Sequence, residues 1–245
     1  MKPIKVSVLM PVYNAGVFIK EAIESVLQQN DEAFELLIAD DGSTDHSFKI
    51  INNYKTHPKV RIYSNGRNLG VGATRNKLVR LSSGKYITPC DADDLMLPGN
   101  LARLSKLLDT NLNVGAVYAD FLVLKIDKDK KLLAAPSIQG KDHRKFWDLI
   151  DNPFNHPGSM IRKSLILKVG GYDEEVYSVD DWDLWLKLAE ITQIRHLKGE
   201  IYYVWRRNPS SLTRTDKRWL HDSQKIRREA MKRRYGINYE VCLTE

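Results

Sequence analysis

Residues 5–45, KVSVLMPVYNAGVFIKEAIESVLQQNDEAFELLIADDGSTD, contain two short apolar runs separated by one amphipathic run. The apolar runs, KVSVLMPV and FELLIADD, are rich in Val, Leu and Ile and have the length of strands. The run between them, FIKEAIESVLQQ, has the mixed pattern of a helix with one apolar face. A strand, a helix and a second strand form a β-α-β unit, so this stretch predicts a parallel sheet covered by helices.

The same alternation continues along the first half of the chain. VRIYS and KYIT are predicted as further strands, and DHSFKIINNYK and ATRNKLVRLS as further helices. We therefore predict an α/β fold with a Rossmann-like, mostly parallel central sheet flanked by helices. In such sheets ligands bind outside the carboxyl ends of the strands, so the residues that follow each run are the candidates for function.

A polar cluster follows each of the four predicted strands. The clusters are PVYN at residues 11–14, DDGSTD at 40–45, NLGVGATRN at 68–76 and DADD at 91–94. Each also has an ordinary explanation, because DGST is common turn and helix-cap chemistry and Tyr13 can serve packing. GVGATR departs from a dinucleotide fingerprint, since Arg75 replaces the third glycine and the motif follows the third strand. We therefore predict one polar site at the sheet edge and no Rossmann oxidoreductase.

The segment PCDADDL, residues 89–95, places three carboxylates within four positions. Like charges at a strand end repel one another, so this arrangement favours a site that receives a positive group. The alternative is a solvated acidic loop that caps a helix beginning near Pro98.

The second half departs from the α/β alternation. It runs through AVYADFLVLKI, a charged turn DKDKK, the helix-like DHRKFWDLI, and NHPGSMIRK. Further on, DDWDLWLKLAE predicts a helix whose buried stripe is Trp182, Trp185, Leu186 and Ala189. Asp180 and Asp181 fall at the start of this helix, where carboxylates also act as caps.

The composition describes one large soluble domain. The chain has 245 residues, of which 42% are hydrophobic and 28% charged. Its two cysteines, Cys90 and Cys242, lack the spacing of a zinc site or a disulfide framework. The longest N-terminal apolar run is interrupted by Ser7 and Pro11, so we expect neither a signal peptide nor a transmembrane helix. These features predict a cytoplasmic protein.

The positive charge is concentrated in a C-terminal tail. Residues 217–234, KRWLHDSQKIRREAMKRR, carry eight Lys or Arg against Asp222 and Glu229, which accounts for +6 of the formal net charge of +7. We predict a helical tail here, and no specific binding of nucleic acid. Two placements are open for the apolar positions of this tail: they rest on the domain, or they contact the anionic inner face of a membrane. These positions are Trp219, Leu220, Ile226, Ala230 and Met231.

The motifs resemble those of the inverting nucleotide-sugar glycosyltransferases of family 2, which have the GT-A fold. The matching segments are VSVLMPVYNAGVFIKEAIESVLQQ, ELLIADDGSTD, NLGVGATRNKL, GKYITPCDADDLMLP, HPGSMIRKSLILKVGGYDE and DDWDLWLKLA. The resemblance implies metal-dependent transfer of a sugar from a nucleoside diphosphate to the hydroxyl of a carbohydrate or glycolipid acceptor, in polysaccharide or glycoconjugate synthesis. We therefore expect a nucleotide-sugar-binding half at residues 1–112 and an acceptor-binding half at 113–212, followed by the basic tail at 213–245 that the charge distribution indicates.

The resemblance assigns roles to individual residues. Asp93 would bind Mn²⁺ or Mg²⁺, Asp91 would face the ribose or the metal, and Asp181 would be the catalytic base. The family commonly has Glu-Asp where this chain has Asp180-Asp181, so the role of Asp180 is open. The remaining candidates for contact with donor or acceptor are Pro11, Val12, Tyr13, Asn14, Asp40, Asp41, Arg75, Ala92, His156 and Trp182. Arg75 can also be a surface arginine on a helix, and His156 an ordinary loop residue.

Asp41 matches the family position that reads the nucleobase. An ionised carboxylate only accepts hydrogen bonds, so it suits the N3–H of uracil or thymine and not the N3 acceptor of cytosine. The sequence therefore favours a UDP-sugar, with a dTDP-sugar second.

Two other classes of protein stay open. A sugar nucleotidyltransferase would share the sheet and the metal, but PVYNAG lacks the basic residues expected in its first loop. A non-catalytic nucleotide-sugar-binding subunit would be expected to lose the metal-binding or base carboxylates, which this chain keeps.

Overall fold

A computed structural model describes residues 3–30, 33–126, 132–137, 154–177, 179–207 and 218–236. The first half forms the predicted alternation of strands and helices. Its elements are β1 (Val6–Val12), α1 (Ile19–Leu27), β2 (Phe34–Asp40), α2 (Ser47–Asn52), β3 (Val60–Ser64), α3 (Val71–Leu81) and β4 (Tyr86–Pro89). β1 pairs in parallel with β2 and β4, and β2 with β3. The predicted β-α-β organisation is therefore confirmed.

The second half mixes strand directions. Its elements are β5 (Leu95–Met96), α4 (Asn100–Thr110), β6 (Val114–Ile126), β7 (Leu132–Ser137), β8 (Met160–Arg162), α5 (Lys163–Lys168), α6 (Asp180–Ile191), β9 (Gln193–Arg206) and α7 (Trp219–Tyr235). β8 runs antiparallel to β4 and β6, whereas β9 runs parallel to β6. Within the described residues one sheet has the order β3-β2-β1-β4-β8-β6-β9-β5, with β7 paired to β6. The two predicted halves of the domain thus share a sheet.

The sheet carries an apolar core on each face. Alternate residues of β1 divide between the two cores, because successive side chains of a strand point to opposite faces. Val8 and Met10 join residues of α1 and α4, and Leu9 joins residues of α3, α6 and α7. Helices therefore flank the sheet on both sides, as predicted.

The basic tail forms α7, and this helix packs on the domain. Ile226, Ala230 and Met231 are buried in the core that also contains residues of α6, whereas Trp219 and Leu220 stay exposed. The five apolar positions of the tail are thus divided between the core and the surface. None of the helices in the described part of the chain is long and apolar enough to cross a membrane.

Some predictions concern residues outside the described ranges. These are the charged turn at 127–131, the helix-like segment at 142–150 and the last part of the segment YYVWRRNPSSLTR, from residue 208.

Candidate functional site

The carboxyl ends of the parallel strands bring the predicted polar clusters together. Val12 at the end of β1 pairs with Asp40 at the end of β2, and Asp40 pairs with Ser64 at the end of β3. The amide of Cys90, directly after β4, donates to Leu9 of β1. The predicted polar clusters therefore converge at one edge of the sheet.

The loop after β1 is tied to the loop after β2 through Asn14. Asn14 has a φ of 50°, and its side-chain oxygen accepts from the backbone amide of Thr44 at 2.8 Å. The backbone amide of Asn14 donates to the Ser43 hydroxyl at 3.1 Å. The preceding Tyr13 is 48% exposed, so its ring faces solvent and is available to a ligand. Of the other two predicted residues, Pro11 is half-buried and Val12 is buried.

Asp41 is buried and holds the loop before α3. Its Oδ1 accepts from the side chain of Asn65 at 2.7 Å and from the amide of Leu69 at 2.9 Å, and its Oδ2 accepts from the amide of Gly70 at 3.0 Å. A carboxylate has about four acceptor positions, so one remains after these three bonds. The next residue, Gly42, has a φ of +76°, and a Cβ there would lie 2.6 Å from the backbone of Arg67. This close approach explains the glycine in DDGSTD.

Asp40 and the acidic turn after β4 add further carboxylates. Asp40 is buried, and its Oδ2 accepts from the amide of Ser43 at 3.3 Å. In the turn, Asp91 and Asp93 are half-buried, whereas Asp94 is only 1% exposed. Asp94 accepts from the backbone amide of Arg206 at 2.8 Å. Burial, together with the charges of Asp93 and Asp91, raises the pKa of Asp94 well above its usual range.

This turn does not cap the following helix. α4 begins at Asn100, its N-cap is Gly99, and no side-chain capping bond is formed. The alternative interpretation of the acidic turn as a helix cap is therefore wrong, because the Asp94 carboxylate is turned inward to β9. Ala92, between the half-buried Asp91 and Asp93, is buried.

Arg75 joins the acidic turn to the start of α6. Its Nη2 lies 2.9 Å from Oδ1 of Asp91, and its Nη1 lies 2.8 Å from Oδ2 of Asp180. Burial alone would lower the pKa of Arg75, yet the charges of Asp180 and Asp91 raise it well above its usual value. The alternative of a surface arginine is wrong, since the residue is only 6% exposed.

Asp181 lies next to this ion pair. Desolvation and the charge of Asp180 raise its pKa, Arg75 lowers it, and the result is a pKa of about 7. Asp180 is buried, and its carboxylate accepts a hydrogen bond from Arg75. Desolvation raises the pKa of Asp180. The N-cap of α6 is Val179 and no side-chain capping bond is formed there, so Asp180 pairs with Arg75 and does not cap the helix. Trp182 points into the core and is 1% exposed.

His156 lies beneath the site and is buried. Its Nε2 is 3.2 Å from the hydroxyl of Tyr172, and its ring lies edge-on to Tyr172 and Trp185. Burial and the charge of Arg75 lower its pKa well below its usual value, so the ring is neutral near pH 7. The residue is thus a neutral polar group in an aromatic layer and not an exposed loop residue.

Several residues of the site were not predicted. Asn65 follows β3 directly, so inspection of the residues after each strand would have found it. Asn76 lies inside the cluster NLGVGATRN, and its side chain bonds to both the amide and the carbonyl of Tyr172. Tyr203 and Arg206 reach the acidic turn from β9, and the local sequence carries no signal for that contact.

No group of three or more His, Cys, Asp or Glu residues is arranged as a metal cage within the part of the chain that the structure covers. Asp91 and Asp93 nevertheless offer carboxylate oxygens at the sheet edge, which are the ligands that Mg²⁺ and Mn²⁺ prefer. Mg²⁺ is often bound by only one or two carboxylates together with phosphate oxygens of a substrate. The two residues therefore fit a cation that arrives with a diphosphate.

Comparison with known proteins gives a consistent family. Residues 7–170 match the family described as glycosyl transferase family 2. An uncharacterized glycosyltransferase of Methanocaldococcus jannaschii is 34% identical over 192 residues, which cover 76% of this chain and 64% of that protein. A chondroitin synthase of Escherichia coli is 30% identical over 201 residues, which cover 80% of this chain and 28% of that protein. The chain thus spans less than two thirds of either relative.

Solved structures show the same fold. Residues 1–349 of S. aureus TarS, in complex with UDP-GlcNAc, superpose with a TM-score of 0.79 at 19% identity, covering 97% of this chain and 68% of that one. The mannosyltransferase PcManGT of Pyrobaculum calidifontis, in complex with GDP-Man and Mn²⁺, has a TM-score of 0.63 at 20% identity, covering 94% of this chain and 62% of that one. The fold is therefore the GT-A fold. Together with the match over about two thirds of its length, this fold shows that the chain belongs to glycosyl transferase family 2.

Proposed function

We propose that this glycosyltransferase moves a sugar from a UDP-sugar to an acceptor hydroxyl, with inversion at the anomeric carbon. The observation that carries the proposal is the Arg75 bridge, which brings Asp180 and its neighbour Asp181 to the acidic turn after β4. Asp91, a proposed cation ligand, and Asp180, the neighbour of the candidate base, thus contact one guanidinium. An inverting attack needs a base on the side of the sugar opposite the leaving group, and we propose that Asp181 lies on that side.

Asp181 is the proposed general base. An alcohol is a weak nucleophile until its proton is removed, and a positioned carboxylate contributes about 10²–10⁴-fold to that step. A pKa of about 7 suits this role, because about half of the carboxylate is ionised at neutral pH and the ionised form is basic enough to accept a proton. Asp180 is the proposed electrostatic neighbour that raises the pKa of Asp181.

The donor nucleotide is proposed to lie between Tyr13 and Asp41. The exposed ring of Tyr13 is available for stacking on the base. Asp41 keeps one acceptor position after its bonds to the loop at 65–70, which suits the N3–H of uracil. The complex of S. aureus TarS with UDP-GlcNAc supports a UDP-sugar donor in this fold.

Asp93 and Asp91 are the proposed ligands of Mn²⁺ or Mg²⁺. A bound divalent cation would offset the negative charge of the leaving diphosphate. Three observations support the assignment. The donor set consists of oxygen only, the pKa of Asp94 is raised by burial and by the nearby charges of Asp93 and Asp91, and the Pyrobaculum mannosyltransferase was solved with Mn²⁺. Arg75 is proposed to lie near the same diphosphate.

The acceptor is proposed to be a carbohydrate or glycolipid of a polysaccharide or glycoconjugate. The E. coli chondroitin synthase supports a polymer product, although this chain spans only 28% of that protein. We keep the division into a donor half at 1–112 and an acceptor half at 113–212 as part of the proposal. His156 and Trp182 are kept as proposed substrate-binding residues, with His156 near the donor phosphates or the metal, as the resemblance implies.

We also propose a cytoplasmic location, with α7 touching an anionic membrane. Lys232 and Arg234 are exposed on this helix, together with Trp219 and Leu220. Sedimentation with phosphatidylserine vesicles at low salt, compared with phosphatidylcholine vesicles, tests the contact. Equal sedimentation with both would contradict it.

A donor panel tests the function. The protein is incubated with UDP-, dTDP-, GDP- and CDP-sugars and Mn²⁺, and release of nucleoside diphosphate is measured. Parallel samples contain added pyrophosphate, and formation of nucleoside triphosphate is measured in them. Release of UDP without formation of UTP is expected. Formation of UTP from the UDP-sugar and pyrophosphate would identify a nucleotidyltransferase, and binding without turnover of any donor or acceptor would identify a non-catalytic binding subunit.

A further inference from the structure

Asp180 and Asp181, which we call the acid pair, are preceded by a turn that α3 contacts from one side. We call residues Gly171–Tyr177 the turn segment; it lies beyond residues 7–170, which match the family. The Asn76 side chain bonds to the amide and the carbonyl of Tyr172, both at 2.9 Å, and to the Glu174 carboxylate at 2.8 Å. A Cβ on Gly72 would lie 2.9 Å from the carbonyl of Asp173, so the helix backbone approaches the turn closely.

The basic helix α7 holds the turn segment from the other side. The Asp222 carboxylate is 5% exposed, and its Oδ2 accepts from the backbone amide of Tyr177 at 3.0 Å. Lys225 Nζ lies 2.8 Å from the Glu175 carboxylate and 3.4 Å from that of Asp173. These contacts come from one face of the helix and reach three positions of the turn.

α7 is itself fixed to the domain, so its contacts can hold the turn. Ile226 and Ala230 are at most 1% exposed and lie in the core that contains Trp182 of α6. Arg233 forms an ion pair with Glu190 at 3.1 Å near the other end of α6. α7 therefore contacts both the start and the end of α6. It also contacts the turn segment, so it links that segment to α6.

From these contacts we infer that Asp222 and Lys225 are positioning residues for the acid pair. They hold the turn segment in place, and α6 begins with Asp180 and Asp181 three residues after Tyr177, the last residue of that segment. The inference rests on the proposed function in one respect, namely that Asp181 acts as the base. It gives the basic tail a role in catalysis by this domain, separate from any contact with a membrane.

The main variant is Asp222→Ala, and Asp222→Asn is its conservative partner. The amide oxygen of Asn can still accept from Tyr177, so this variant should keep the turn in place, whereas Ala cannot. A misplacement of about 1 Å can cost about 10²-fold in rate, so we expect Asp222→Ala to lower kcat for donor hydrolysis by at least about 10-fold. The KM for UDP-GlcNAc, or for the UDP-sugar released fastest in the panel, should stay unchanged, because the donor half is untouched.

A second pair of variants guards against a simple folding defect. Lys225→Gln removes the ion pairs to the turn, and Arg228→Gln makes the same charge change on an exposed position of α7. We expect lower kcat in the first and parent-like kcat in the second. Hydrogen exchange adds a readout without turnover: amides of the turn segment should exchange faster in Asp222→Ala, while those of β1 and α1 do not change.

The outcomes separate the inference from the proposed function. Parent-like kcat and exchange in Asp222→Ala and Lys225→Gln would overturn the inference, as would an equal loss of kcat in Asp222→Ala and Asp222→Asn. Asp181→Asn is measured in parallel. If that variant turns over like the parent, the base assignment fails, and the exchange data still decide whether α7 holds the turn.

Discussion

Arg75 Nη1 lies 2.8 Å from Oδ2 of Asp180, although 105 residues separate them in the chain. The same guanidinium bonds to Asp91 at 2.9 Å, so one side chain links the donor half of the sheet edge to the start of α6. The charges of Arg75 and Asp180 are largely withdrawn from water, whereas Asp91 is half-buried. A buried pair such as that of Arg75 and Asp180 is costly to break from one side.

Replacement of Arg75 should therefore destabilise the protein. Arg75→Gln leaves Asp180 buried without its partner, and we expect a loss of about 3 kcal/mol in the free energy of unfolding, measured by urea denaturation. Arg103→Gln is the control, because it breaks an ion pair with Glu200 that is partly exposed. That variant should lose about 1 kcal/mol or less. Similar losses in the two variants would contradict the structural role of Arg75.

Asp93→Ala should abolish the metal-dependent part of UDP binding. The carboxylate is a proposed cation ligand, so titration calorimetry with UDP should give the same weak affinity with and without Mn²⁺ in this variant. Asp109→Asn is a matched control, since Asp109 pairs with Lys5 and Lys85 at the opposite edge of the sheet. It should keep the Mn²⁺ effect of the parent. Undiminished Mn²⁺ dependence in Asp93→Ala would assign the metal to other residues.

Turnover should depend on pH through Asp181. As the pH falls through about 7, this carboxylate takes up a proton and can no longer accept one from the attacking hydroxyl. The kcat for donor hydrolysis should therefore fall below pH 7 and level off above it. Arg75 lowers the pKa of Asp181, so Arg75→Gln should move the midpoint to higher pH. Well below the pKa of the base, kcat should change about tenfold per pH unit. A flat kcat profile between pH 5.5 and 8.5 would therefore argue against Asp181 as the base.

Helix α7 should contribute to folding through its buried residues. Ile226→Ala removes a side chain that is 0% exposed, and we expect a loss of about 2–4 kcal/mol in the free energy of unfolding. Leu220→Ala, on the same helix, alters a side chain that is 49% exposed and should cost less than about 1 kcal/mol. Thermal and urea unfolding measure both. Equal, small effects would show that α7 is a separable tail.

Local pattern was sufficient to predict the first half of the fold. Buried parallel strands read as apolar runs, and the helices between them have one apolar face, so β1 to β4 and α1 to α3 could be identified. The positions of Asp40, Asp91 and Asn14 at the site followed from one rule, that the carboxyl ends of parallel strands meet at one edge.

Contacts between distant segments could not be predicted in this way. The bridge from Arg75 to Asp180 and the bonds of Asp222 and Lys225 to the turn segment join residues whose spacing carries no periodic signal. The packing of α7 was left open because its buried face includes charged residues such as Asp222, which the pattern alone assigns to solvent. Asp41 was predicted to read the base, and its bonds to Leu69 and Gly70 became visible only in the structure.

The most direct test of the account is the turnover of Asp181→Asn. This variant keeps the shape of the side chain and removes its basicity, and Asp183→Asn, in the same helical turn but paired with Lys187, is the matched control. We predict that Asp181→Asn binds UDP and Mn²⁺ like the parent and releases UDP from the UDP-sugar at least about 100-fold more slowly, while Asp183→Asn stays within a few-fold of the parent. Parent-like turnover in Asp181→Asn would contradict the account and place the base elsewhere.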